Sequence, residues 1–172
     1  IFTVMIIFAE RFLMKVYLDN AATTPLAPEV YEAMAPILKS NFGNPSSNHY
    51  FGRNAKALIE NSRRNIAKHL NCETAELIFT SGGTEADNMA LFSSVKELGI
   101  NRIITSKIEH HAVGHTVEQI CQQYDVRIEY VNVCKKGNID LAHLESLLQA
   151  SKGTLVSLMH ANNEIGTLLP LK

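Results

Sequence analysis

From Tyr17 onward the apolar residues fall into clusters that switch between two spacings, one near two residues and one near 3.6, and this alternation restricts the fold most. Strand spacing marks residues 76–80, 102–105, 127–133 and 154–159, with helical stretches between them over 84–98, 111–123 and 141–149. Strands joined by connections of this length pair in parallel through right-handed crossovers, because a tight hairpin has no room for a helix. The chain therefore predicts an α/β fold, a mostly parallel sheet with helices on both faces, beginning as a βαβ unit over 76–105. The apolar strand 154–159 is expected to be buried on both faces.

Upstream of that pattern, residues 28–39 have helical spacing, with Pro36 expected to bend the helix or end it early. Residues 41–48 read as a loop, since Gly43, Pro45 and the neighbouring Asn and Ser residues favour turns. An amphipathic helix follows over 52–70, with Ala55, Leu58, Ile59, Ile66 and Leu70 at helical spacing and Arg63, Arg64 and Lys68 on other faces.

At 172 residues, 46% of them hydrophobic and 19% charged, the chain can bury a core and reads as one globular unit. Sixteen basic residues against 17 acidic ones leave a net charge of −1, so the footprint of a nucleic-acid binder is missing and a small ligand is expected. Cys72, Cys121 and Cys134 are widely spaced and form no CxxC pair, which disfavours a disulfide framework and a zinc site. They are expected to be ordinary buried or half-buried thiols in a reducing cytoplasm, and no metal site is expected. Residues 1–13 are mostly large and apolar, with neither the flanks of a signal peptide nor the length of a membrane span. Met14 reads as the natural start, with 1–13 a translated upstream segment or cloning remnant.

In a doubly wound sheet, ligands sit beyond the carboxyl ends of the strands, which directs attention to three segments. Ser81-Gly82-Gly83-Thr84 joins a strand to a helix, where free N–H groups, glycines and the helix dipole suit a phosphate. Its bland alternative is a turn capped by Thr84. It fits neither the Walker loop nor the dinucleotide fingerprint, which argues against ATP and NAD. Glu109-His110-His111 offers an imidazole that could stack on a heteroaromatic ring and move protons, or simply a polar helix start. His160-Ala161-Asn162-Asn163-Glu164-Ile165-Gly166 sets two amides and a carboxylate after the fourth strand, costly to bury unless each has a partner. It marks either a polar pocket or an Asn-rich turn.

Taken in order, Asp19-Asn20-Ala21-Ala22-Thr23-Thr24-Pro25, Gly43-Asn44-Pro45-Ser46-Ser47, Phe79-Thr80-Ser81-Gly82-Gly83-Thr84-Glu85-Ala86-Asp87-Asn88, Glu109-His110 and Asn162-Asn163-Glu164-Ile165-Gly166-Thr167 resemble the cysteine desulfurases. These belong to the class V aminotransferase family of enzymes dependent on pyridoxal 5'-phosphate (PLP). The resemblance spans 16–170 and implies the large domain of the fold type I PLP-dependent transferases. It further implies that Gly83 and Thr84 bind the cofactor phosphate, that His110 stacks on the pyridine ring and assists proton transfer as the catalytic residue, and that Asn163 touches the phenolic oxygen. His111 falls where the family varies, and 44–47 aligns with a loop near the active-site entrance. The implied reaction turns L-cysteine into L-alanine and delivers sulfur for iron–sulfur clusters or thio-cofactors. A cytoplasmic homodimer with a sulfur-acceptor or scaffold partner is implied as well.

In the family, an Asp that pairs with the pyridinium nitrogen, a Gln, a Ser-Gly-His-Lys run and a nucleophilic cysteine lie downstream of the Asn-Asn-Glu motif. This sequence ends at Lys172, which does not match that run, and none of its three cysteines occupies the nucleophile's position. Residues 14–172 are therefore expected to be the N-terminal part of the large domain, inactive by themselves. The alternatives are a selenocysteine lyase, another class V relative, or a non-catalytic PLP-binding or dimerisation fragment.

Overall fold

The computed structural model describes residues 15–149 and 153–171, so the readings of residues 1–13, of Met14 and of Lys172 lie outside the described residues. The chain divides into two compact units, Ile1–Leu58 and Ile59–Lys172.

In the first unit, α1 (Pro28–Ser40) opens on a proline, whose missing N–H would be unbonded in a first turn anyway. Glu29 in the first turn and Lys39 in the last complement the helix dipole. Of the two outcomes expected of Pro36, an early end does not occur: a proline φ suits a helix and its ring removes a single main-chain bond, so the chain stays helical to Ser40. The following loop turns on Asn44, whose Oδ1 accepts the Ser46 N–H at 2.9 Å while its carbonyl accepts the Ser47 N–H at 3.0 Å. It lies against the start of α2 (Tyr50–Leu70) through two glycines. A Cβ on Gly43 would stand 2.1 Å from the Phe51 carbonyl oxygen, and one on Gly52 would stand 2.2 Å from that of Ser47. Backbone meets backbone at both points, and no side chain fits.

In the second unit, β1 (Arg102–Thr105), β2 (Arg127–Tyr130) and β3 (Thr154–Val156) form a parallel sheet in the order β2-β1-β3. Ile103 lies opposite Ile128 on one side and Leu155 on the other. All four residues of β1 are buried, whereas β3 is a half-exposed edge among the described strands, so the strand covered on both faces is β1 and not the expected 154–159. Strand β2 stops at Tyr130, short of the expected 133, and Val133 bridges antiparallel to Ile139 because the chain reverses at Gly137.

The expected strand at 76–80 is also corrected. Thr74–Glu76 is a short 3-10 turn and 77–80 joins no ladder, since no strand among the described residues lies beside it. Apolar residues alone do not make a strand when its N–H and C=O groups lack a neighbour. Arg63 of α2 holds the segment instead, donating to the Leu77 carbonyl with its guanidinium 4.7 Å from the centre of the Phe79 ring.

Helices α3 (Gly83–Leu98) and α4 (His111–Gln123) pack together in this unit. Leu91, Val95, Val113, Val117 and Ile120 close the core around Ile103, each large side chain contributing about 1.5–3 kcal/mol on burial. Gly99 ends α3 at φ 65°, a left-handed cap that a residue without Cβ adopts freely. Arg102 ties three elements: its Nη2 meets Glu129 Oε2 at 2.6 Å, and its Nη1 donates to the Leu147 carbonyl of α5 (Leu141–Leu148) at 2.8 Å. One buried polar atom, Thr105 Oγ1, has no hydrogen-bond partner among the described residues.

Candidate active site

The site forms where the chain leaves β1 and β3, the ends at which a parallel sheet leaves its strand termini open to a ligand. Two loops meet there through side-chain bonds. Glu109 Oε1 accepts the Ser106 hydroxyl at 2.8 Å and the Met159 N–H at 2.9 Å, so one carboxylate joins the loop after β1 to the loop after β3. Asn162, buried at 9% exposure, donates from Nδ2 to the Ile108 carbonyl at 2.9 Å. Its Oδ1 accepts the N–H groups of Glu164 and Ile165 at 2.9 and 3.0 Å, which curls the second loop back on itself. Every polar atom of this buried amide that could orphan a neighbour is in use.

With the loops fixed in this way, a cleft of about 230 Å³ opens between them, lined by Lys107, His110, His111, Asn163 and Glu164 among others. His110 is the N-cap of α4, and its Nδ1 accepts the Ala112 N–H at 3.1 Å. That bond fixes the ring and, in the neutral imidazole, puts the proton on Nε2. Asn163 is exposed in the same cleft, while its neighbour Asn162 is spent on structure. The structure thus brings His110 and Asn163 together.

Gly83 and Thr84 do not line that cleft. They begin α3, whose N-cap is Gly82 and which has no side-chain cap, so Thr84 does not act as the cap that the bland reading required. A Cβ on Gly82 or Gly83 would meet nothing within 4 Å, so the start of α3, whose first-turn N–H groups have no partner within a helix, has open space beside it. The nearby Glu85 carboxylate accepts both the N–H and the hydroxyl of Ser81, each at 2.6 Å, and these bonds hold it below the usual carboxylate range. Helix α4, which carries His110 at its start, packs on α3, and the Thr116 hydroxyl donates to Asn88 Oδ1 between them.

A family profile, Aminotransferase class-V, matches residues 16–172. The chain belongs to that family. Among curated relatives of this class V aminotransferase chain, the cysteine desulfurase IscS of Dictyoglomus turgidum is 48% identical over 163 residues, covering 92% of this chain and 40% of the relative. A putative cysteine desulfurase IscS 1 of Bacillus subtilis is 42% identical over 161 residues, again with 92% of this chain and 42% of the relative covered. The chain therefore spans about two fifths of the length of these relatives. Among solved structures, a NifS-like protein superposes with a TM-score of 0.82 at 38% identity, covering 91% of this chain and 43% of its own. SspA in complex with cysteine superposes with a TM-score of 0.75 at 32% identity, over 90% of this chain and 44% of its own. The α/β fold read from the sequence is thus the fold of NifS-like class V enzymes.

Class V aminotransferases and cysteine desulfurases depend on PLP. The residues here fit such a group: an uncapped helix N-terminus beside open space suits a phosphate, and a ring-fixed imidazole with an exposed amide in one cleft suits a heteroaromatic ring and its oxygen. Sequence reasoning missed two residues that build the site, Glu109 and Asn162. The signal for them was the cost of so many polar groups after a strand, which demanded partners without naming them. The cysteines divide by environment. Burial pushes the Cys121 thiol up, while Cys134 is exposed, not buried as expected, and backbone N–H groups of Lys136 and Asn138 pull its thiol down. Among the described residues, no helix is long and apolar enough to cross a membrane.

Proposed function

We propose that this chain is the cofactor-cradling part of a cysteine desulfurase, acting on L-cysteine to give L-alanine and pass on the sulfur. The observation that carries this reading is the cleft in which the fixed imidazole of His110 and the exposed amide of Asn163 meet. Gly83 and Thr84 bind the phosphate through first-turn N–H groups and the Thr84 hydroxyl. His110 would stack on the ring and, because its Nδ1 is held by the Ala112 N–H, would hold or move a proton at Nε2. Asn163 donates its side-chain amide to the ring oxygen. PLP, when bound, supplies the electron sink for bond breaking at the substrate's Cα. Glu109 and Asn162 position these groups and keep the two loops together.

Cysteine as substrate is supported by the likeness to SspA, solved in complex with cysteine. Homodimer formation, a sulfur-acceptor or scaffold partner, supply of sulfur to iron–sulfur clusters or other thio-cofactors, and a cytoplasmic setting complete the proposal.

The test is a chimera in which residues 16–171 of this chain replace the matching segment of the Dictyoglomus turgidum relative. It should bind PLP and release alanine from L-cysteine. Thr84→Ala and Asn163→Ala should each weaken PLP retention about tenfold, the cost of one hydrogen bond to a charged or polarised oxygen. His110→Ala should cost far more activity than His111→Ala. A folded, PLP-loaded chimera without alanine release would reject the reading, and equal losses for the two histidine variants would reject the role of His110.

A further inference from the structure

A second cleft, of about 360 Å³, opens on the exposed face of α4 and is lined by His111, Gly114, His115, Glu118 and Tyr130, with the loop after β1 at its edge. His111 and His115 stand one helical turn apart, so both imidazoles leave the same face of the helix. Their ring centres are 5.5 Å apart with the planes inclined by 34°. A divalent ion about 2.0–2.1 Å from one nitrogen of each ring, at a tetrahedral angle, sets ring centres about 5 Å apart. The ring-centre spacing is therefore close to that of a bidentate imidazole pair.

The setting leaves room for an ion. Gly114 lies between the two histidines, and a Cβ there would meet nothing within 4 Å. Both histidines are exposed, and no hydrogen bond of the described residues ties up either imidazole. His110 is different: its ring centre is 6.3 Å from that of His111, and its Nδ1 is committed to the Ala112 N–H. Glu118, one turn beyond His115, supplies a carboxylate of the kind that accepts the outer N–H of a metal-bound imidazole.

We propose that His111 and His115 form a two-point site for a late first-row divalent ion such as Zn(II) or Cu(II). Imidazole nitrogen suits these ions, and carboxylate or carbonyl oxygen, which would suit Mg(II) or Ca(II), is not the donor here. No set of three or more His, Cys, Asp or Glu among the described residues could hold a metal, so water fills the other positions. The absence of paired cysteines, which argues against a thiolate zinc site, does not bear on an imidazole pair. His111 also lines the cleft that holds His110 and Asn163, but the ion site uses none of the proposed PLP-binding groups and does not rest on them.

Isothermal titration of the 172-residue chain with ZnCl₂ should show one ion bound per chain, with micromolar affinity. His111→Gln and His115→Gln should each weaken it at least tenfold, while His69→Gln on α2 leaves it unchanged. A measurement on the unsubstituted chain guards against misfolded variants: Zn(II) should protect His111 and His115, but not His69, from diethyl pyrocarbonate, as read by peptide mass spectrometry. No binding at 100 micromolar Zn(II), binding unaffected by either substitution, or protection spread equally over all histidines would each overturn the proposal.

Discussion

The Asn162 side chain donates to the Ile108 carbonyl at 2.9 Å across 54 residues of sequence, while Asn163, next in the chain, is left facing the cleft. Two identical side chains thus have opposite work. Asn162→Ala removes the partner of a half-buried carbonyl and two loop N–H groups, and should destabilise the fold by about 1–3 kcal/mol. Asn163→Ala, at an exposed position, should stay within about 0.5 kcal/mol of the parent. Urea unfolding of both variants checks this, and equal losses would refute the division.

Arg102 holds the Glu129 carboxyl below the usual carboxylate range, chiefly through their hydrogen bond. A lowered folded-state value contributes stability above the unfolded value of about 4.3 and loses it as the pH falls through the folded one. Glu129→Gln should therefore be less stable at neutral pH by about 1–3 kcal/mol. Its deficit should shrink as the pH falls from the unfolded value of about 4.3 toward the lower folded one. Denaturation midpoints at pH 7, 4 and 3 give the comparison.

Thr105 Oγ1 is buried without a partner among the described residues, at a position only 1% exposed. Thr105→Val keeps the shape and removes the stranded hydroxyl, and should raise stability by about 1 kcal/mol. A lower melting temperature for this variant would show that the hydroxyl is bonded in solution.

Thiol reactivity should follow environment. Cys134, exposed and lowered by backbone N–H groups, should alkylate first with iodoacetamide, and Cys121, raised by burial, last. Timed labelling with peptide mass spectrometry reads the order, and faster labelling of Cys121 would contradict the packing of α4.

Local signals carried most elements to their observed bounds. The strand Arg102–Thr105 and the helix His111–Gln123 fall where spacing put them, and Gly99 caps α3 as glycine chemistry requires. What failed was pairing. Residues 77–80 have a strand's composition, but a strand exists only beside another, and that neighbour is a property of the whole fold. Burial of β3 failed for the same reason, because a sheet's edge is not written in the strand that forms it. At the cleft, His110 and Asn163 lie in segments that the sequence marked, whereas Glu109 and Asn162 act through bonds to residues about 50 positions away, a distance that no local pattern encodes.

The strand order β2-β1-β3 also has a kinetic meaning. During synthesis, β1, α4 and β2 emerge first and can assemble from near neighbours, while β3 and the Asn162 loop must close a much longer span to reach the other side of β1. The cleft takes one wall from each side of that span. A chain stalled before β3 would hold His110 on a formed helix start and have nothing opposite it, so this cleft closes last in the unit.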